Sequence, residues 1–72
     1  MDYILVMLCF DDRAEDLKIP TFVPAGDLIT LFSELFSTRG NVLHAEPRGI
    51  VLDKNKTLAE QGVEHGAILT LE

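Results

Sequence analysis

Eight consecutive apolar residues, Tyr3 to Phe10, open the pattern and meet Asp11 and Asp12 at once. A run of that length bounded by acidic turn residues predicts a strand interior to its sheet. Glu15 to Ile19 then alternates polar and apolar, the mark of a half-buried strand that Pro20 ends. The two predict a hairpin with Asp11 to Ala14 at its tip. Leu28, Ile29, Leu31, Phe32, Leu35 and Phe36 recur at helical spacing, with Thr30, Ser33 and Glu34 on the other side. Pro24 suits the first turn and Asp27 favours the same end, so a helix is predicted over Pro24 to Ser37, with Gly40 as its stop. Val42 to Glu46 and Ile50 to Leu52 read as short strands joined by the turn Pro47-Arg48-Gly49.

The last third is the most structured to the eye. Thr57 with Glu60 fits a capping box, Gly62 can end a helical turn in the left-handed conformation, and Val63 can fold back as its apolar contact. Glu64-His65-Gly66 is a turn before a final strand, Ile68 to Leu71, that points Leu69 and Leu71 to one face. The order is strand, strand, helix, strand, strand, helical turn, strand. The core expected from it contains Ile4, Val6, Leu8, Leu17, Ile19, Leu28, Phe32, Leu35, Leu52, Leu58, Val63, Leu69 and Leu71.

Composition narrows the class. Seventy-two residues make one domain, near the lower limit for a chain that folds without staples, and 47% apolar residues suffice for a core. Twelve acidic against six basic residues give a net charge of −6. That argues against nucleic acid, where affinity comes from Lys and Arg on phosphates, and against an anionic membrane surface. One cysteine excludes an internal disulfide and a cysteine cluster for metal. The longest apolar run is far short of the ~20 residues that span a bilayer, and no basic segment precedes it. A cytoplasmic protein is expected.

The element order is that of the ubiquitin-like β-grasp, an α+β fold in which a mixed sheet of four or five strands wraps one helix; here residues 1–72 form the single domain. The stretch Leu17-Lys18-Ile19-Pro20-Thr21-Phe22-Val23-Pro24-Ala25-Gly26-Asp27-Leu28-Ile29 discriminates further. A strand end, an aromatic two residues before a proline and an immediate Leu-Ile helix resemble the YukD-like ubiquitin relatives of bacterial type VII (Esx-type) secretion systems. The resemblance implies a cytosolic accessory protein that acts through protein contacts. From ubiquitin itself the sequence departs: as given it ends at Glu72, without the paired glycines that ubiquitin and sulfur carriers present for adenylation. Conjugation through Glu72 is therefore not expected. Ubiquitin's apolar receptor patch is matched here by Glu46 and Glu72, so ordinary ubiquitin receptors should reject the chain, because unpaired carboxylates are costly to bury.

Candidate chemistry is sparse. Cys9 with His44 or His65 could suggest a nucleophile and base, but a thiol inside an apolar strand beside acidic residues is a packing residue. His44 and His65 lack the paired spacing of metal ligands, and His65 reads as a turn residue. Asp11, Asp12, Glu15 and Asp16 read as a solvated hairpin tip, and Lys54-Asn55-Lys56 as a loop. No catalytic residue, metal or cofactor is expected. One pattern asks for more. If Leu17 and Ile19 face inward, register places Ile4, Val6 and Leu8 inside and Tyr3, Leu5, Met7 and Cys9 on the outer face. Ile68 of the adjacent last strand joins that row. An apolar strip of Leu5, Met7 and Ile68, rimmed by His44, Glu46 and Glu72, suggests a surface for a protein partner, with a secretion-system component and a second copy of the chain as the candidates. A carrier protein of the ubiquitin or sulfur-transfer type is the alternative, and an enzyme is a distant third for want of any catalytic constellation.

Overall fold

The computed structural model describes residues 2–46 and 49–72, and all that follows concerns those residues. β1 (Tyr3–Phe10) and β2 (Arg13–Pro20) form an antiparallel hairpin. Asp11 and Asp12 close it with φ of 46° and 61°. Two consecutive left-handed residues make the turn whose twist matches the strands it joins, and aspartate is among the side chains that tolerate it. Pro20 lies within β2 rather than beyond it, and the backbone direction explains why. On β1, Gly66 N–H donates to the Leu5 carbonyl at 2.8 Å and Met7 N–H donates to the Ala67 carbonyl at 3.0 Å. Odd-numbered residues of β1 thus turn away from β2, and the even-numbered ones pair with Arg13, Glu15, Leu17 and Ile19. Even-numbered residues of β2 face the open edge, where the N–H that Pro20 lacks is not needed.

The helix, α1, runs Ala25–Phe36, one residue inside each predicted end. Pro24 supplies no side-chain cap. Instead the Ala25 and Gly26 amides donate to the Lys56 and Lys54 carbonyls at 2.9 and 3.0 Å, so the Lys54-Asn55-Lys56 loop caps the helix with its backbone. Ser37 ends α1 in the left-handed region at φ 54°. Gly40, expected as the stop, sits three residues later for a different reason: a Cβ there would meet Leu71 Cγ at 2.6 Å. Thr38 Oγ1 donates to Asp11 Oδ2 at 2.9 Å, so the helix end is tied to the hairpin turn, and Asp11 is more than a solvated charge.

β3 (Leu43–Glu46), β4 (Ile50–Val51) and β5 (Ile68–Leu71) complete a five-stranded sheet in the order β2-β1-β5-β3-β4. β1 and β5 pair in parallel at its centre, and every other pair is antiparallel. Pro47 and Arg48 of the predicted turn lie outside the described residues; Gly49 has φ +66°. Between β4 and β5 the capping box forms in both directions: Thr57 N–H donates to Glu60 Oε1 at 2.9 Å and Glu60 N–H donates to Thr57 Oγ1 at 3.1 Å. The bond from the Thr57 amide, and then that with its side chain, hold the Glu60 carboxyl below its ordinary value. Gly62, at φ 73°, closes the turn. Val63 N–H donates to the Leu58 carbonyl and Gly62 N–H to the Ala59 carbonyl, a Schellman end that brings the buried Val63 and Leu58 together.

The core lies between the inner sheet face and α1. Phe32, Leu8, Leu28, Leu43, Leu58 and Leu69 are its largest fully buried side chains. Of the thirteen expected core positions, eleven are buried and two fare differently. Leu35 is 62% exposed, and Leu17 is half-buried at the β2 edge. The apolar stripe on α1 is wider than the sheet can cover: Ala25, Leu28, Ile29 and Phe32 fill the contact, and Leu31 and Leu35 fall on its flank. Phe10, Ala25, Ile29, Leu43 and Ala45 are core residues beyond those expected. The whole is the β-grasp arrangement.

Candidate functional site

The site is the face of the sheet opposite α1. Alternation along β1 sends Ile4, Val6 and Leu8 to the core and leaves Tyr3, Leu5 and Met7 outside, with Leu5 52% and Met7 40% exposed. Register carries the row across the sheet: Asp16 lies beside Met7, Met7 beside Ile68, and Ile68 beside Glu46. Ile68 is 41% exposed. A second row runs Ala14, Cys9, Thr70, His44 and Val51. Leu5, Met7 and Ile68 therefore share one face of the two central strands, and the described chain has no second layer to cover them.

Its borders are polar. His44 Nε2 and Glu72 Oε2 stand 3.0 Å apart, an ion pair whenever the imidazole is protonated. Glu46 is exposed beside Ile68. The expected rim residues are thus on the expected side, though His44 is engaged by Glu72 rather than simply solvated. At the other end Tyr3 and Phe22 meet edge to face, with ring centroids 5.7 Å apart, and Lys18 Nζ lies 5.7 Å from the Tyr3 ring centre. This aromatic corner extends the strip. Phe22 was not legible as part of it, since it follows β2 in a bend whose direction no periodicity encodes.

Beyond the turn that the sequence predicts for it, His65 has a further task. Its Nδ1 accepts the Leu5 N–H at 3.1 Å, continuing the line of bonds that joins β1 to the β5 side. An imidazole that accepts there carries its proton on Nε2 and loses the bond when doubly protonated. A shallow cleft of about 180 Å³ opens beside it, with Glu46, Ile50, Val63 and Glu64 among its walls. Cys9 is a free, half-buried thiol on the outer face, and neither histidine bonds to it. Among the described residues no three of His, Cys, Asp and Glu stand together as a metal site, and no helix is long and apolar enough to cross a membrane.

The family model described as "WXG100 protein secretion system (Wss), protein YukD" matches residues 3–71. The chain belongs to the YukD family. No curated protein matches it in sequence. Among solved structures it is similar to the ubiquitin-like domain of the Mycobacterium tuberculosis type VII secretion system protein ECCD1, at 25% identity and TM-score 0.66, covering 99% of this chain and 98% of that one. A ubiquitin-like domain from Arabidopsis thaliana superposes with TM-score 0.83 at 17% identity, over 100% of this chain and 78% of that one. The C-terminal ubiquitin-like domain of mouse tubulin-specific chaperone e gives TM-score 0.82 at 16% identity, over 97% and 84%. The last two share the fold alone. In this YukD-family chain, then, the β-grasp carries an apolar outer strip with acidic ends.

Proposed function

We propose that the chain is a non-enzymatic docking module of a type VII secretion system, acting in the cytosol, and that a protein partner binds the outer sheet face. The observation that carries this is the strip of Leu5, Met7 and Ile68, unlayered on the two central strands and bordered by Glu46 and Glu72. Family membership and the likeness to the ECCD1 domain supply the setting. The chemistry defines the partner: an apolar ridge flanked by Lys or Arg, since the strip is apolar and the molecule carries a net charge of −6. A catalytic reading has no comparable support, because Cys9 lacks a hydrogen-bonded base.

The experiment is affinity measurement against the soluble parts of type VII components, using wild type and the Leu5→Lys, Met7→Lys double variant. Both side chains are outside the core, so circular dichroism should be unchanged while binding is lost, because two ammonium groups would be desolvated without partners. A double variant that folds and binds as wild type does would refute the surface. One that unfolds would refute the inside-outside assignment of β1.

A further inference from the structure

β2 forms one edge of the sheet, and its outward backbone groups face no strand among the described residues. As derived above, these belong to Ala14, Asp16 and Lys18, with a carbonyl alone from Pro20. Such an edge is a template for another strand. Its side chains say which one. Asp16 and Lys18 are exposed, of opposite charge and two residues apart, with Leu17 half-buried between them on the helix side.

We propose that β2 pairs antiparallel with β2 of a second copy, about a two-fold axis at Leu17, joining the two five-stranded sheets into one. In that register Asp16 of each copy lies opposite Lys18 of the other, so two cross-strand ion pairs form by symmetry. Asp16 and Lys18 both turn their backbone groups outward, so each of these is a hydrogen-bonded pair. Leu17 meets its counterpart at the intervening non-bonded position, where side chains come closest. A shift of the register that sets Asp16 opposite Asp16, or Lys18 opposite Lys18, places like charges together. The strand is therefore self-complementary in one arrangement.

The helix supports the same partner. Gly26 lies against Lys54, in the loop that follows β4 at the far edge of the sheet. Leu31 and Leu35 are roughly 140–180° round the helix from Gly26, on the flank turned toward β2. They are 47% and 62% exposed, and the helix register has no internal use for them. Pairing the β2 edges brings this flank of one copy toward that of the other, above the two Leu17 side chains, where burial would account for both leucines. The outer face of each copy stays open on the opposite side, so this contact and the partner surface proposed above are compatible and separately testable.

Sedimentation velocity over a concentration series tests the pairing. Wild type should pass from monomer to dimer. Asp16→Lys and Lys18→Asp should each weaken the dimer by about tenfold or more, because each sets like charges opposite at both symmetric positions. The combined Asp16→Lys, Lys18→Asp swap should restore it. Leu17→Cys in a Cys9→Ala background should give an interchain disulfide on mild oxidation, which reads the register directly. A chain that stays monomeric to its solubility limit, or a dimer indifferent to both single reversals, would overturn the proposal. So would a monomer whose β2 edge takes up an extended apolar peptide instead. The Leu5→Lys, Met7→Lys variant should dimerise as wild type does, which separates failure of this contact from failure of the outer face.

Discussion

Thr57 and Glu60 fasten the turn between β4 and β5 with two reciprocal bonds at 2.9 and 3.1 Å, and both residues can be tested singly. Thr57→Ala should lower unfolding free energy by about 1 kcal/mol, the usual loss for a removed cap, as read by urea denaturation. Glu60 gives the pH dependence. Its folded carboxyl is held below the ordinary value by the Thr57 amide and then the Thr57 side chain. A depressed acid contributes stability that is present above its unfolded pKa and lost as pH falls through the folded one. Glu60→Gln should therefore lower stability near neutrality, where the ionised carboxylate contributes, and flatten part of the acid limb so that the variant and wild type converge at low pH; an unchanged acid limb would contradict this. Gly40 is the third residue whose role is local. Its Cα faces Leu71 so closely that Gly40→Ala should cost about 1–3 kcal/mol, as overpacking does, despite lying in a loop.

The elements themselves follow from periodicity, and α1 shows both the reach and the limit of that signal. Phe32 is 1% exposed, so Phe32→Ala should cost about 3–5 kcal/mol, enough to threaten a domain of this size. Leu35→Ala, expected from the helical pattern alone to be as harmful, should stay within about 0.5 kcal/mol in dilute solution. A helical repeat gives the direction of each side chain but not the width of the surface that receives it. Six apolar positions form the helical stripe of α1, and the sheet is wide enough for Leu28, Ile29, Phe32 and half of Phe36, which leaves Leu31 and Leu35 exposed. The helix ends were legible to within a residue, whereas the reasons for them were not. Lys54 and Lys56 cap the start through carbonyls brought from a distant loop, and Ser37 rather than Gly40 takes the left-handed turn. The capping box at Thr57, by contrast, is wholly local in sequence and could be read in full.

At the scale of the molecule, strand pairing turns local alternation into a surface. That Leu5, Met7 and Ile68 share a face is legible in the sequence given that β1 and β5 are neighbours, because register fixes which side each residue takes. The aromatic corner of Tyr3 and Phe22 and the His65 bond to Leu5 are not, since each joins residues far apart through a bend or turn with no repeat to betray it. The acidic border adds a kinetic expectation: association with a basic partner should slow as ionic strength rises toward the regime where the Debye length falls below about 10 Å, as stopped-flow measurement would report. The central claim is that the outer sheet face, rather than α1, is where a secretion component docks. Chemical-shift mapping tests it most directly: isotope-labelled chain is titrated with the soluble domain of a type VII component that binds it. Perturbations should centre on Leu5, Met7, Ile68, Glu46 and Glu72, and perturbations confined to the exposed side of α1, around Asp27, Thr30 and Glu34, would contradict the account.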